Sequence, residues 1–210
     1  MADAEVDARL LGRWLVSDLA EGAWALVTVE ADRAAVRELG RGVGQTFELE
    51  ACAHDGAALV VRVRGERGAG ELLVALDGDA RAYGWEPGGR AMTARRIVEV
   101  PAELQGAFVL GAATRGRAPL EVEIGADQIT FTKRGHAESF ELFALAAPHA
   151  PDLALRRASG ECRVVLLRPL GAGRWLFHDG DELYVLARPG QAPSWLATAP
   201  VTAPAASEPG

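Results

Sequence analysis

The chain has 210 residues, 49% of them hydrophobic, and a formal net charge of −7. This length and apolar content indicate a folded chain with a substantial core, in one large domain or two small ones. The excess of acids argues against a general nucleic-acid binder, because neutralising phosphates requires a basic surface. Apolar runs such as residues 57–61 are far shorter than the roughly 20 residues of a membrane-spanning helix. The first residues are acidic and lack the apolar stretch of a secretory signal, so we expect a cytoplasmic protein without a membrane partner.

The first part of the chain, residues 1–98, predicts one short helix followed by strands. Residues 4–11 can place their apolar side chains on a single helical stripe. Beyond them, apolar and polar residues alternate with period two, as in residues 47–51 (FELEA), which is typical of half-buried strands. Turn dipeptides such as Asp77-Gly78 separate these runs and predict about seven or eight short strands.

The same pattern follows in a second segment. Residues 99–103 are predicted to join the two segments, and residues 104–188 again alternate with period two between turn signals such as Asp179-Gly180. Residues 189–210 contain five of the eleven prolines in the chain. We expect that tail to be disordered.

The two segments also match each other in sequence. Residues 46–49 (TFEL) match residues 139–142 (SFEL) at an offset of 93, and Arg41-Gly42 matches Arg134-Gly135 at the same offset. The sequence therefore predicts an all-β fold made of two tandem copies of a small antiparallel up-and-down β-barrel. The same residues are also compatible with three other folds: another small barrel, a sandwich, or one sheet shared by both copies.

Each copy begins with a Gly-x-aromatic triplet and ends with an arginine. The residues concerned are Gly12, Trp14 and Arg95 in the first copy and Gly106, Phe108 and Arg188 in the second. This arrangement resembles the calycin superfamily of lipocalins, fatty-acid-binding proteins and avidins. The resemblance implies that the arginine of the last strand lies across the aromatic ring of the first strand and closes one end of each barrel.

The residue types that carry catalysis or bind metals are not grouped in recognisable motifs. The four histidines show no metal-ligand spacing, and no serine lies in a Gly-x-Ser-x-Gly elbow. Cys52 and Cys162 occupy non-equivalent points of the two copies and are predicted to be buried thiols. The strand glutamates alternate with apolar residues and are expected to face solvent. The sequence therefore predicts no catalytic residue, no metal site and no cofactor.

The two copies differ in the size of their side chains. Strands of the first copy are rich in alanine, whereas the second copy has large aromatic residues that can fill a short barrel, among them Phe131, Phe140, Phe143, Trp175, Phe177 and Tyr184. We therefore expect a non-catalytic protein that holds a small apolar molecule in the first barrel. The candidate ligand-binding residues are Trp24, Phe47, Tyr83 and Trp85.

Two other functions are compatible with the same sequence. In the first, the barrels are solid and the chain is a protein-interaction or assembly module. Trp195 and Leu196, an isolated apolar pair in the tail, are then the candidate contacts with a protein partner. In the second, the chain is an enzyme whose catalytic residues are dispersed. The sequence does not predict the oligomeric state.

Overall fold

The protein is built almost entirely of antiparallel β-strands. A computed structural model describes residues 6–19, 21–55, 58–86, 90–112, 119–180 and 182–193, with only the backbone of Ala51, Asp55 and Trp85. The strands in these ranges are β1 Gly12–Asp18, β2 Trp24–Val29, β3 Arg33–Leu39, β4 Gly44–Asp55, β5 Ala58–Gly65, β6 Gly68–Asp77, β7 Arg81–Trp85, β8 Ala91–Val98, β9 Gly106–Ala112, β10 Leu120–Ile124, β11 Gln128–Lys133, β12 His136–Leu145, β13 Asp152–Arg156, β14 Cys162–Gly171, β15 Arg174–Asp179 and β16 Glu182–Ala187.

The first eight strands form a closed barrel. Each strand from β1 to β8 pairs antiparallel with the next along the chain, and β8 pairs with β1, where Trp14 lies opposite Arg96. Short hairpins make this order possible, and Gly78 adopts a φ of +61° in one of them. Closure leaves no free edge strand in this ladder.

The remaining eight strands pair in the same order. Each strand from β9 to β16 is antiparallel to its neighbour along the chain, and β16 pairs with β9. The two ladders are joined by a short antiparallel pairing of β8 with β12, in which Ile97 lies opposite Leu145 and Val98 opposite Ala144. Between the two ladders, Ala102–Leu104 form a single 3-10 turn that buries Leu104.

The prediction of a helix near the amino terminus is wrong for residues 6–11, which contain a turn instead. The Leu10 N–H donates to the Asp7 carbonyl at 2.8 Å, and the Leu10 carbonyl accepts the Trp14 Nε1–H at 2.8 Å. The carbonyls of Arg9 and Leu11 accept from the Arg96 guanidinium. These carbonyls therefore bond to side chains at the barrel end rather than to a helical ladder.

The predicted disorder of the tail is wrong for its first residues. Pro189–Gln191 form a 3-10 turn, and Gln191 lies so close to Gly173 that a Cβ there would overlap its amide group. Residues 194–210, including the candidate contacts Trp195 and Leu196, lie outside the described residues.

The buried side chains form three clusters. One cluster fills the second barrel and includes Phe108, Ile129 and Leu167. Another lies inside the first barrel around Trp14 and Leu59. The third lies between the two barrels, and its buried members are Leu15, Leu26, Leu39, Phe143, Leu145 and Ala154. Apart from Leu39, which also lines the interior of the first barrel, these residues point away from their own barrel interiors, so the third cluster holds the two barrels together.

Candidate ligand-binding cavity

The interior of the first barrel contains a cavity of about 1200 Å³. Its wall is apolar because alternate residues of each strand point inward, as Val27 and Val29 do on β2. The inward positions are often small. Ala25, Ala34, Ala82 and Ala94 all line the cavity, together with Gly84. The cavity is somewhat larger than the roughly 300–1000 Å³ of typical small-molecule sites, so it has room for a drug-sized molecule.

One end of the cavity is closed by Trp14. This side chain is 3% exposed, and the Arg96 guanidinium lies 4.4 Å from its ring centroid. Arg96 also donates to the carbonyls of Leu11 and Asp79, at 2.6 Å each. Gly12, with a φ of +118°, leaves room for this arginine, since a Cβ there would lie 2.9 Å from Arg96 Nη1. The cation–π contact and these hydrogen bonds together seal the barrel end.

The prediction that Arg95 covers Trp14 is wrong by one residue. Arg96 is the direct cross-strand partner of Trp14, so both side chains lie on the inner face. Arg95 is paired with Leu15 and points to the outer face. A one-residue shift along a strand moves a side chain to the opposite face. Met92 and Ala94 line the cavity from β8, and the period-two alternation of that strand places Arg96 on the inner face as well.

The corresponding contact in the second barrel is present as predicted. The Arg188 guanidinium lies 4.0 Å from the Phe108 ring centroid and donates to the Glu103 carbonyl at 2.9 Å. Gly106 has a φ of +100°, and a Cβ there would lie 3.0 Å from Arg188 Nη1. Each barrel therefore has the same glycine, aromatic ring and arginine at one end.

The opposite end of the cavity opens toward charged hairpins. Ion pairs at this mouth include Arg62 with Glu71 at 2.9 Å and Arg90 with Glu21 at 3.6 Å, and Arg64 binds Glu50. Asp18, Glu38, Arg41 and Arg67 also line this end. An apolar interior with a charged mouth suits a molecule that places its apolar body inside.

The four candidate ligand-binding residues occupy different places. Phe47 lines the cavity, and Trp24 lies at its rim, where it also packs against the cluster between the barrels. Tyr83 is 42% exposed on the outer face, because the neighbouring Ala82 lines the cavity from β7, so the prediction for Tyr83 is wrong. The side chain of Trp85 lies outside what the structure describes.

The second barrel is filled with aromatic side chains. Phe108 and Trp175 meet edge to face with centroids 5.5 Å apart, and Phe131 and Phe140 do so at 5.7 Å. Phe177 is 1% exposed and contacts Phe131 at 6.4 Å between centroids. Such packing occupies the volume that alanine and glycine leave open in the first barrel.

The described residues bear on two kinds of chemistry, metal binding and thiol reactivity. They contain no group of three His, Cys, Asp or Glu side chains that could hold a metal ion. Burial raises the pKa of the Cys162 thiol to about 12, which keeps it protonated and unreactive at neutral pH. In the same ranges, no helix combines the length and apolar character needed to cross a bilayer.

Comparison with known proteins does not place the chain in a family. A scan against models of protein families, a search of curated proteins and a search of solved structures each found no significant match.

Proposed function

We propose that this protein is a binding protein whose first barrel holds a small, mainly apolar molecule. The cavity of about 1200 Å³ carries the proposal, because a closed barrel with an open, apolar interior of this size has space for a whole ligand. Large inward side chains would have filled so short a barrel, as they do in the second one. The alanine and glycine positions thus keep open a volume that the fold itself does not require.

We further propose that the two barrels are tandem copies of one calycin-like module, of which only the first keeps a binding cavity. Equivalent contacts support the duplication. Arg96 and Arg188 each donate to a carbonyl preceding the first strand, at Arg9 and Glu103 respectively. Further in, the N–H of Leu49 donates to the backbone carbonyl of Asp32 and the N–H of Leu142 to the backbone carbonyl of Asp127, both at 2.8 Å. The second copy then acts as a solid support for the first.

Titration of the full chain with the neutral fluorophore 1-N-phenylnaphthylamine tests the binding proposal. We expect saturable enhancement of probe fluorescence at one site per chain. Ala34 and Ala35 are neighbours on β3, but Ala34 lines the cavity and Ala35 lies on the outer face. Ala34→Phe should weaken binding at least about tenfold by filling the lumen, whereas Ala35→Phe should leave the affinity unchanged.

The outcomes separate the two functions considered for this chain. Loss of binding in Ala34→Phe alone supports a ligand inside the barrel. Absence of saturable binding by the wild-type chain would contradict the proposal and would favour the protein-interaction module. Native mass spectrometry of protein purified from its own cells gives an independent readout, since a retained ligand adds a defined mass to the chain.

A further inference from the structure

Half of the cavity wall is supported by the second barrel. Leu15 on β1 and Leu26 on β2 face outward and pack in one cluster with Phe143 and Leu145. At the mouth, Gly40 in the β3–β4 hairpin lies close enough to Gly160 that a Cβ on Gly160 would overlap it. Strands β1 to β3 of the wall therefore rest against a packed neighbour.

The other half of the wall, β4 to β7, faces solvent on its outer side. The side chains of Arg62 and Arg64 on β5 are 60% and 59% exposed. Near the mouth, Gly68, Gly70 and Gly84 line the cavity from this half, together with side chains such as Arg67 and Glu71. No side chain projects into the lumen from the three glycine positions.

Phe47 is an aromatic side chain on this side of the entrance. It lines the cavity from β4, next to the pairing of Glu48 with Arg64, which brings Phe47 across from Gly65 on β5. A Cβ on Gly65 would lie 2.8 Å from both Cδ1 and Cε1 of Phe47. The ring therefore occupies the space that a side chain at position 65 would need. Gly65 does not have a positive φ, so its backbone conformation is open to any residue.

We propose that Gly65 sets the width of the cavity entrance by letting the Phe47 ring rest against the barrel wall, so that bulky fused-ring or branched apolar molecules can enter. A side chain at position 65 would displace the Phe47 ring. The ring would move into the open lumen, because the close-packed strands on either side leave it no space within the wall. This inference rests on the proposed ligand binding. It makes Phe47 and Gly65 the residues that determine which ligand shapes the barrel accepts.

Two glycine substitutions provide a matched test. Gly65→Ala adds a methyl group where the Phe47 ring lies. Gly44→Ala adds the same group to β4, the strand that carries Phe47, but Gly44 does not line the cavity and its Cβ would lie 3.8 Å from the Val36 carbonyl oxygen, an ordinary contact. The probes are 1-N-phenylnaphthylamine, which has a fused ring, and diphenylhexatriene, which is a thin rod. Thermal unfolding of each variant establishes that the barrel is folded.

We expect Gly65→Ala to bind the fused-ring probe about tenfold more weakly, with a smaller loss for the rod. Gly44→Ala should change neither affinity more than about twofold. The double variant Phe47→Ala/Gly65→Ala should regain the affinity for the fused-ring probe, because no ring is left to displace. Phe47→Trp enlarges the ring without altering β5 and should weaken fused-ring binding in the same way.

The outcomes distinguish this inference from the function on which it rests. If the wild-type chain binds neither probe, both the proposed function and the inference are wrong. If the wild type binds but Gly65→Ala behaves like Gly44→Ala, or the double variant Phe47→Ala/Gly65→Ala fails to regain binding, the ligand-binding function stands and the role of Gly65 is overturned.

Discussion

Arg95 Nη2 donates to Asp152 Oδ2 at 2.7 Å and thereby joins the last strand of the first barrel to the second barrel. Asp152 is 1% exposed and also accepts from Arg168 Nη1 at 2.9 Å and from the Leu167 N–H at 3.3 Å. Its carboxylate is thus buried with compensating charges and hydrogen bonds, which is what a buried acid requires.

Removing this acid should destabilise the junction between the barrels. Asp152→Ala leaves the partly buried Arg95 without its counter-charge and the Leu167 N–H without an acceptor, so we expect a loss of about 3–5 kcal/mol. Arg168→Ala is the control, because that side chain is 43% exposed and should cost about 1 kcal/mol or less. Urea unfolding measures both. Equal losses of stability in Asp152→Ala and Arg168→Ala would contradict the view that the buried position of Asp152 causes the larger effect.

The end of the first barrel should depend on Arg96 rather than on Arg95. Trp14→Ala should cost about 3–5 kcal/mol, because it opens a cavity at a buried position. Arg96→Lys loses the planar contact with Trp14 and some of the hydrogen bonds to Leu11 and Asp79, which predicts a loss of about 2 kcal/mol. Thermal or urea unfolding is the measurement. Full stability of Arg96→Lys would refute this account of the closure.

A side chain at Gly160 should lower the stability of the protein, because Gly160 lies against Gly40 of the facing hairpin. Gly160 has a φ of +92°, and Gly135 has a similar φ of +82° with nothing within 4 Å of its would-be Cβ. Gly135→Ala should therefore cost about 1 kcal/mol for the backbone alone. Gly160→Ala should cost about 1–3 kcal/mol more, because the new methyl group would overlap Gly40. Similar losses in both variants would mean that the hairpins move apart freely.

The turn before β1 should make stability depend on pH in the acid range. The hydrogen bond from the Arg9 side chain lowers the pKa of Asp7 from 3.8 to about 2. A carboxyl whose pKa is lower in the folded state adds stability above its unfolded pKa and loses it as the pH falls through the folded value. The melting temperature of Asp7→Asn should therefore lie below that of the wild type at neutral pH. The difference should shrink below about pH 4 and vanish near pH 2, whereas a constant difference would contradict the proposed ion pair.

Much of the fold follows from local features of the sequence. The period-two alternation and the glycine turns act within a single hairpin, so they predict strands and antiparallel neighbours directly. The Phe108–Arg188 contact, by contrast, follows from the resemblance of the Gly-x-aromatic triplet and the final arginine to the calycin pattern. Alanine on one set of strands and aromatic residues on the other predict which barrel holds the cavity.

Contacts between distant strands were decided by the tertiary structure. The sequence places Arg95 and Arg96 side by side, but only the register between β1 and β8 turns Arg96 toward Trp14 and Arg95 toward Asp152. In the same way, the inward position of Ala82 leaves Tyr83 on the surface. Sequence patterning by itself determined that the chain makes strands with two faces. Which face looks into the cavity depends on pairings between residues far apart in the chain, and a one-residue difference in register reverses it.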